Sequence, residues 1–400
     1  MYGIPKKADL SVDFCGLRFQ NPFILSAGPP TTKCEMIKRA FDVGWGGAVV
    51  KTFRTEPTPN VSPRFANLPF EDKKMVGFVN VELSSEFPLE DELPKIKEVK
   101  KEYPDNILIV SLMAGMNPSD WQEMTRKVQD VGADMVELAL WCPGEKTALS
   151  VGQDSESTRN VVKWVKEVAD VPVMVKLAQN VTDITSIAKA AEMGGADAVT
   201  ATDTVPCFLG VDLEKMAPKP SVNGMSTFGG YSGPAIKPLV LRCVAQIAKS
   251  TKLPISGVGG ISTWEDAAEF IMVGASTVQL CTAVMFGGYR IIDDLKEGLS
   301  NYLMDKGFGS VSDIVGHALP KITETVEDLD LAHKVVPEID KSKCIKDDLC
   351  YLACRDAGYQ AIELDKERLP IVDDEKCIGC SLCSLVCPVW DCIKMKRKQK

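Results

Sequence analysis

M-V-E-L-A-L-W-C-P-G, residues 135–144, is an apolar run rich in strand formers that stops abruptly at Trp141, Cys142 and Pro143. A strand buried on both faces reads as a continuous apolar run, and proline cannot extend it. The run therefore carries one thiol to the end of a buried strand, where a loop begins. In a closed barrel of alternating strands and helices, that end is where chemistry is placed. A lone cysteine is equally at home in a core, so the surrounding chain has to decide.

From residue 20 to about 305 such runs alternate with amphipathic segments. The strand patterns fall at 23–27, 47–53, 76–83, 107–113, 135–141, 173–177, 198–204, 255–259 and 277–282. Helical spacing marks 32–43, 119–131, 156–168, 182–193, 236–249 and 263–273. Ser119, Thr182 and Thr263 stand where N-caps belong. Gly44, Gly132, Gly194 and Gly274 close helical patterns, as tight helix-to-strand turns require. Repeated strand–helix units imply right-handed crossovers and a parallel sheet. We expect an α/β fold, a closed (β/α)8 TIM barrel. Nine strand patterns for eight staves leave one over, and 76–83 reads either as a stave or as a loop excursion. Residues 203–232, with Pro206, Pro218, Pro220 and Gly229-Gly230, form a long irregular segment after a strand end, the position of a lid.

The expected domains are the barrel over 1–305, a linker of weak helical pattern over 306–340 lying across it, and a cysteine-rich module over 341–400. A net charge of −9 argues against nucleic acid as the main partner. No apolar stretch is long enough to span a membrane, and the first residues lack the apolar core of a secretory signal, which points to the cytoplasm. With two histidines, His317 and His333, histidine-based catalysis is an improbable use of this composition.

Eight of the fourteen cysteines fall between Cys344 and Cys392. Cys377-x2-Cys380-x2-Cys383-x3-Cys387-Pro388 is the bacterial ferredoxin run, whose fourth cysteine ligates the other cluster. A zinc site would want two separated pairs. The first run is imperfect: Cys344, Cys350 and Cys354 hold positions one, three and four, and Asp347 holds the second. By the crossover rule Cys354 joins Cys377, Cys380 and Cys383, and Cys344, Cys350 and Cys387 share the other cluster with Asp347. A carboxylate is a harder ligand than thiolate. The second cluster is therefore either a 4Fe-4S cluster with an aspartate ligand or a 3Fe-4S cluster. Cys392 is left for packing. Two iron–sulfur clusters carry single electrons, and a flavin in the barrel is the usual converter to two-electron chemistry.

Barrel features suit a flavin. Ser256-Gly257-Val258-Gly259-Gly260-Ile261, followed by Ser262-Thr263, places glycines at a strand end before a capped helix, a setting for phosphate. Gln279-Leu280-Cys281-Thr282-Ala283 ends the next strand, and phosphate sites of such barrels lie after strands seven and eight. Lys51 and Lys176 each end an apolar strand, where a lysine is costly unless it meets an anion.

From Ala8 to Met395 the chain resembles the dihydropyrimidine dehydrogenase family, closest in size to the separate FMN/iron–sulfur subunit of its bacterial, NAD-dependent members. The resemblance rests on Asn21-Pro22-Phe23, Gly44-Trp45-Gly46, Lys51-Thr52-Phe53, Asn60-Val61-Ser62-Pro63-Arg64, Val79-Asn80-Val81-Glu82, Asn180-Val181-Thr182-Asp183, Gly229-Gly230-Tyr231-Ser232-Gly233 and the ferredoxin tail. More distantly the chain is similar to dihydroorotate dehydrogenases, which share the FMN barrel. The resemblance implies that FMN contacts Ser26, Ala27, Lys51, Thr52, Asn80, Lys176, Thr202, Gly233, Gly259, Gly260, Cys281 and Thr282. It also implies hydride transfer between flavin N5 and one carbon of a ring C=C, with Cys142 exchanging a proton at the adjacent carbon, a sensible task for a thiol. Electrons would come through the clusters from a FAD/NAD(P)H-binding reductase subunit, in an oligomeric assembly, since this chain has no G-x-G-x-x-G fingerprint.

The chain departs from the family around its substrate. Where the family reads N-L-S-C-P-H, this chain has Ala139-Leu140-Trp141-Cys142-Pro143-Gly144, and a later N-T-V is Asp203-Thr204-Val205. Of the family's pyrimidine contacts Asn80 and Thr204 remain, joined here by Trp141 and Asp203. Losing two amides leaves polar atoms of uracil unpaired, at roughly 1–3 kcal/mol each. The expected substrate is a cyclic N-heterocycle other than plain uracil or thymine. Two rivals are an electron-transfer flavin/iron–sulfur subunit with no organic substrate of its own, and a regulatory flavin- or nucleotide-binding component.

Overall fold

The computed structural model describes residues 7–70, 74–142 and 151–398, so Pro143 and Gly144 lie outside the described residues. The chain divides into two compact units, 1–321 and 322–400.

In the first unit eight parallel strands close into a barrel: β1 (Phe23–Leu25), β2 (Gly47–Arg54), β3 (Ile107–Met113), β4 (Met135–Ala139), β5 (Val173–Leu177), β6 (Ala198–Ala201), β7 (Ile255–Val258) and β8 (Ala275–Leu280). Each pairs with its successor and β8 with β1, the order that short right-handed crossovers produce. Along each strand alternate residues face the barrel axis, and the others pack on the helices. Near the start of the strands the inner residues are apolar. Ile24, Val49, Ile109, Met135, Met174 and Ala198 pack with Phe14 and Phe19 of an N-terminal hairpin, whose rings meet edge-on at 6.1 Å. That plug closes one end. Two residues further along, the same period reaches Lys51, Ser111, Glu137, Lys176 and Thr200, all buried. The polar layer thus lies nearer the strand ends, facing the other mouth.

The strand pattern at 76–83 is the excursion and not a stave. Lys74–Asn80 pairs antiparallel with Phe65–Phe70 on one side and Gly229–Ser232 on the other, and Gly229–Ser232 pairs with Val205–Cys207. Segment 203–232 thus contributes two short strands to this sheet and carries a second small hairpin, Val211–Asp212 with Ala217–Pro218, between longer stretches without strand. Gly77 admits the Tyr231 ring, in space that a Cβ would fill. Helix starts differ slightly from expectation. Thr263 caps its helix in a box with Asp266, but Asn117 and Asp183 cap the other two, accepting from the N–H groups of Ser119 at 3.2 Å and Thr185 at 2.9 Å. Gly44, Gly132 and Gly274 take positive φ, and Gly195 does so in place of Gly194.

Of the residues read as a linker, 306–321 belong with the barrel: Val311 and Ile314 are fully buried and Ser310 bridges to Asp9. In the second unit Val335–Ile339 pairs antiparallel with Ile393–Arg397, and Ile362–Leu364 with Pro370–Val372. The helix Leu349–Ala357 carries Cys350 and Cys354 of the first cysteine run, Leu382–Val386 carries Cys383 of the second, and Cys350, Ile362 and Cys383 form a small core. No helix among the described residues is long and apolar enough to cross a membrane.

Candidate active site and cluster module

The strand ends open into a cleft that is continuous with solvent and takes lining residues from all eight strands or the loops after them. Cys142, the four substrate residues and the twelve residues expected to contact FMN all line it, from Ser26 just after β1 to Thr282 after β8. Sequence-distant loops converge there because parallel strands all end on the same side.

The two lysines differ. Lys51 is paired: its Nζ lies 2.5 Å from Glu82 Oε2, both side chains less than a tenth exposed, and Glu82 Oε1 accepts from Arg64 Nη1 at 3.2 Å. Lys176 is buried, lines the cleft, and has no hydrogen bond or ion pair among the described residues. Burial opposes its charge, but Asp203, Glu137, Cys281 and Cys142 nearby outweigh burial and hold its pKa above the ordinary lysine value. A charged ammonium with unused donors fits an acceptor-rich edge such as the N1–C2=O side of a flavin.

At the ends of β7 and β8, Gly259 and Gly260 adopt φ of 132° and 83°, which favours glycine, and a Cβ on Gly260 would come within 2.7 Å of the Lys237 backbone nitrogen. The helix N-terminus behind them is not an open anion site. Asp266 already accepts from the N–H groups of Ser262 at 2.8 Å and Thr263 at 3.0 Å, and it pairs with Lys237. The donors left for a phosphate are the amides just before it, at Gly260 and Ile261, which make no hydrogen bond among the described residues. Thr282 and Ser232 hydroxyls stand 2.8 Å apart across the same end. Burial pushes the Cys281 thiol up to about 11, against the pull of Lys176 and Lys51, so it is neutral at physiological pH.

Cys142 is half-buried against Met113 and Ala139, the inner residues that end β3 and β4. Trp141 is buried, with its indole Nε1 unpartnered. Asp203 Oδ1 accepts from the Thr204 N–H at 2.7 Å, and Asn80 Nδ2 donates to the Gly230 carbonyl at 3.2 Å. The Thr204 hydroxyl is buried without a partner.

Sequence reasoning missed the floor of the cleft. Glu137, fully buried on β4, accepts from Thr200 Oγ1 at 2.8 Å, and Gln279 Nε2 reaches Ser256 Oγ at 3.2 Å, Thr200 Oγ1 at 3.3 Å and Glu137 Oε2 at 3.4 Å. The signal was present as a glutamate inside M-V-E-L-A. The Lys51–Glu82–Arg64 chain was missed too, although all three residues sit in stretches that the sequence had marked.

In the second unit Cys354, Cys377, Cys380 and Cys383 line one small pocket, with Pro337, Ile362 and Met395 among its apolar walls. The other cysteines gather separately. Burial pushes the Cys350 thiol up, and Asp347, Cys344 and Cys387 are the neighbouring groups that add to it. Asp347 Oδ1 accepts from the Leu349 N–H at 3.1 Å, while Oδ2 is buried without a partner. Thiolate-rich pockets with one spare carboxylate oxygen fit iron–sulfur clusters by their donor chemistry. Cys392 is buried against the Asp340 carbonyl at 3.6 Å.

The dihydroorotate dehydrogenase pattern matches residues 9–303 and a 4Fe-4S dicluster domain matches 337–395. The chain is 44% identical over 361 residues to the NAD-dependent dihydropyrimidine dehydrogenase subunit PreA of Escherichia coli (strain K12), covering 89% of this chain and 87% of that one. It is 38% identical over 332 residues to the chloroplastic dihydropyrimidine dehydrogenase (NADP(+)) of Arabidopsis thaliana, covering 79% and 78%. It is also 38% identical over 312 residues to the catalytic subunit of dihydroorotate dehydrogenase B (NAD(+)) of Pyrococcus abyssi, covering 78% and 99%.

Proposed function

The chain belongs to the dihydroorotate dehydrogenase family, as an iron–sulfur-bearing oxidoreductase acting on CH–CH bonds, and from that premise we propose that it is the FMN- and cluster-carrying subunit of a dihydropyrimidine dehydrogenase-type enzyme. It reduces, or in reverse forms, a C=C bond in a cyclic N-heterocycle, with Cys142 as the proton donor. The observation that carries this reading is one cleft holding both Cys142, at the end of β4, and the unpartnered ammonium of Lys176.

Bound at the strand ends, FMN supplies or accepts a hydride at N5. The protein's part is to bind and to move a proton. Lys176, and Lys51 held by Glu82, would bind the flavin's pyrimidine edge, Gly259, Gly260, Cys281 and Thr282 would bind its phosphate, and Ser26, Ala27, Thr52, Thr202 and Gly233 would contact the rest of it. Asn80, Asp203, Thr204 and the Trp141 wall hold the substrate. Cys142 Sγ gives its proton to the carbon next to the one that receives hydride. An uncharged donor suits that step, because the developing carbanion beside a carbonyl takes a proton and leaves thiolate behind.

In the module, Cys354, Cys377, Cys380 and Cys383 hold one 4Fe-4S cluster, and Cys344, Asp347, Cys350 and Cys387 hold the second. Two of the relatives are named as subunits, in keeping with a FAD/NAD(P)H-binding reductase subunit as electron source. Ala139, Trp141 and Asp203 rebuild the polar wall, so the substrate is not plain uracil.

The test is an anaerobic preparation with its absorbance spectrum and a turnover assay with uracil. A flavin and iron–sulfur spectrum with little uracil turnover is expected. A protein with no flavin absorbance would sink the assignment, and uracil turnover of about 1 per second or more would sink the substrate claim. The buried Trp141 also admits a reading as an electron-transfer subunit without an organic substrate, and Cys142→Ala with undiminished activity would favour it.

A further inference from the structure

The substrate end of the cleft is rich in hydrogen-bond acceptors. Asp203 spends Oδ1 on the Thr204 N–H, and its Oδ2 has no partner among the described residues. Asn80 spends one of its two amide N–H groups on the Gly230 carbonyl, and its Oδ1 is left as an acceptor. Both residues line the cleft. Two donors stand near them, the Thr204 hydroxyl and the Trp141 indole N–H, both buried and without a partner. Lys176 lies within electrostatic reach of Asp203 but at no ion-pair distance.

We propose that Asp203 selects a ring whose facing edge carries adjacent N–H donors, an amino-substituted or amidine-like cyclic amide, and turns away rings that present a carboxylate or a carbonyl there. The inference rests on the reading of this cleft as a flavin-dependent site and names the substrate class within it. A carboxylate oxygen only accepts. An edge with two neighbouring donors satisfies Oδ2 and can share Oδ1 or the Asn80 oxygen. An imide such as uracil offers one N–H flanked by two carbonyl oxygens, so a lone pair of the ring faces a lone pair of the protein. A carboxylated ring adds like-charge repulsion beside Asp203. The Thr204 hydroxyl remains for one ring carbonyl, which the class retains.

The experiment is a titration of the oxidised holoenzyme with isocytosine, uracil and orotate, read from the flavin absorbance change on binding and not from turnover. The wild type is expected to bind isocytosine roughly tenfold or more tighter than uracil, the ratio that one unpaired buried polar group produces, and orotate weakest. Asp203→Asn replaces the acceptor with an amide of the same shape and is expected to bring the ratio of isocytosine to uracil affinity down by about tenfold. Unchanged flavin content in the variant shows that the cleft is intact. Uracil or orotate binding as tightly as isocytosine in the wild type, or an affinity ratio unmoved by Asp203→Asn, would overturn the inference. A wild type without flavin would instead overturn the function on which it rests.

Discussion

Glu137 and Gln279, on β4 and β8, meet across the barrel's interior with Gln279 Nε2 3.4 Å from Glu137 Oε2, and each keeps one side-chain oxygen without a partner. The two residues anchor the floor beneath the cleft, where Thr200 and Ser256 complete the contacts. Removing the carboxylate strands the Thr200 hydroxyl and weakens the hold on Gln279. An unsatisfied buried polar group costs about 1–3 kcal/mol. Glu137→Ala should lower unfolding free energy by that order in urea titration. Glu137→Gln, which keeps the shape and an acceptor, should lose less. Equal losses in the two variants would show that the carboxylate itself, which both remove, and not side-chain volume is at stake.

Lys176 gives a prediction with a defined sign. Its pKa in the folded protein lies above the ordinary 10.5, through Asp203, Glu137 and the two thiols acting against burial. The charged form is therefore favoured by folding. That contribution is complete below about pH 10.5 and is lost as pH rises through the folded value. The stability difference between wild type and Lys176→Met should be constant from pH 7 to about 10 and should shift against the wild type above that. Lys176→Met should also release flavin more readily, by about tenfold or more if a charge-assisted hydrogen bond is removed. Flavin retained at wild-type affinity would disconnect Lys176 from the cofactor.

The staves were legible because a strand buried on both faces has one composition along its length, and each helix between them carried its own period. Closure followed from the count. The run at 76–83 was ambiguous on the same ground, since an apolar strand looks alike in a barrel and in a sheet over its mouth. Its pairing partner, Gly229–Ser232, lies about 150 residues on, and Gly230 opposite Asn80 is what decides. The floor escaped for a similar reason. Lys51 and Lys176 were noticed as charges inside apolar runs, and the same argument reaches Glu137. Its partners Thr200 and Gln279, at 63 and 142 residues' separation, become neighbours only when the barrel closes. The phosphate end was half legible: the glycines stood out, but Asp266 occupying the helix amides depends on a capping box that the sequence allowed without requiring.

Cys142 separates the proposed reaction from electron transfer alone. General acid catalysis by a positioned side chain contributes about 100- to 10,000-fold. Cys142→Ala should reduce substrate turnover by that order while leaving reduction of an artificial one-electron acceptor at the wild-type rate. Cys142→Ser keeps a proton on a hydroxyl of much higher pKa, a weaker acid, so its residual activity in the reductive direction should be low and should not rise toward alkaline pH. Loss of acceptor reduction in both variants would point to damage to the cleft as a whole and not to a missing acid.

Asp347 is the proposed ligand whose replacement has the most specific spectroscopic consequence. Its Oδ2 is buried and unpartnered, and Asp347, Cys344 and Cys387 all neighbour Cys350. A lone carboxylate among thiolates holds its iron less tightly than a cysteine would. Mild oxidation of the anaerobic protein should therefore release about one iron atom per chain from that corner and give the paramagnetic resonance signal of a 3Fe-4S cluster. Asp347→Cys should abolish the release and leave two four-iron clusters, visible on reduction. Asp347→Ala should show the three-iron signal without oxidation. The cluster held by Cys354, Cys377, Cys380 and Cys383 should keep its spectrum in all three proteins. A wild type that retains all its iron under oxidation, with two four-iron signals, would remove Asp347 from the coordination sphere and return its spare oxygen to the list of unexplained buried acceptors.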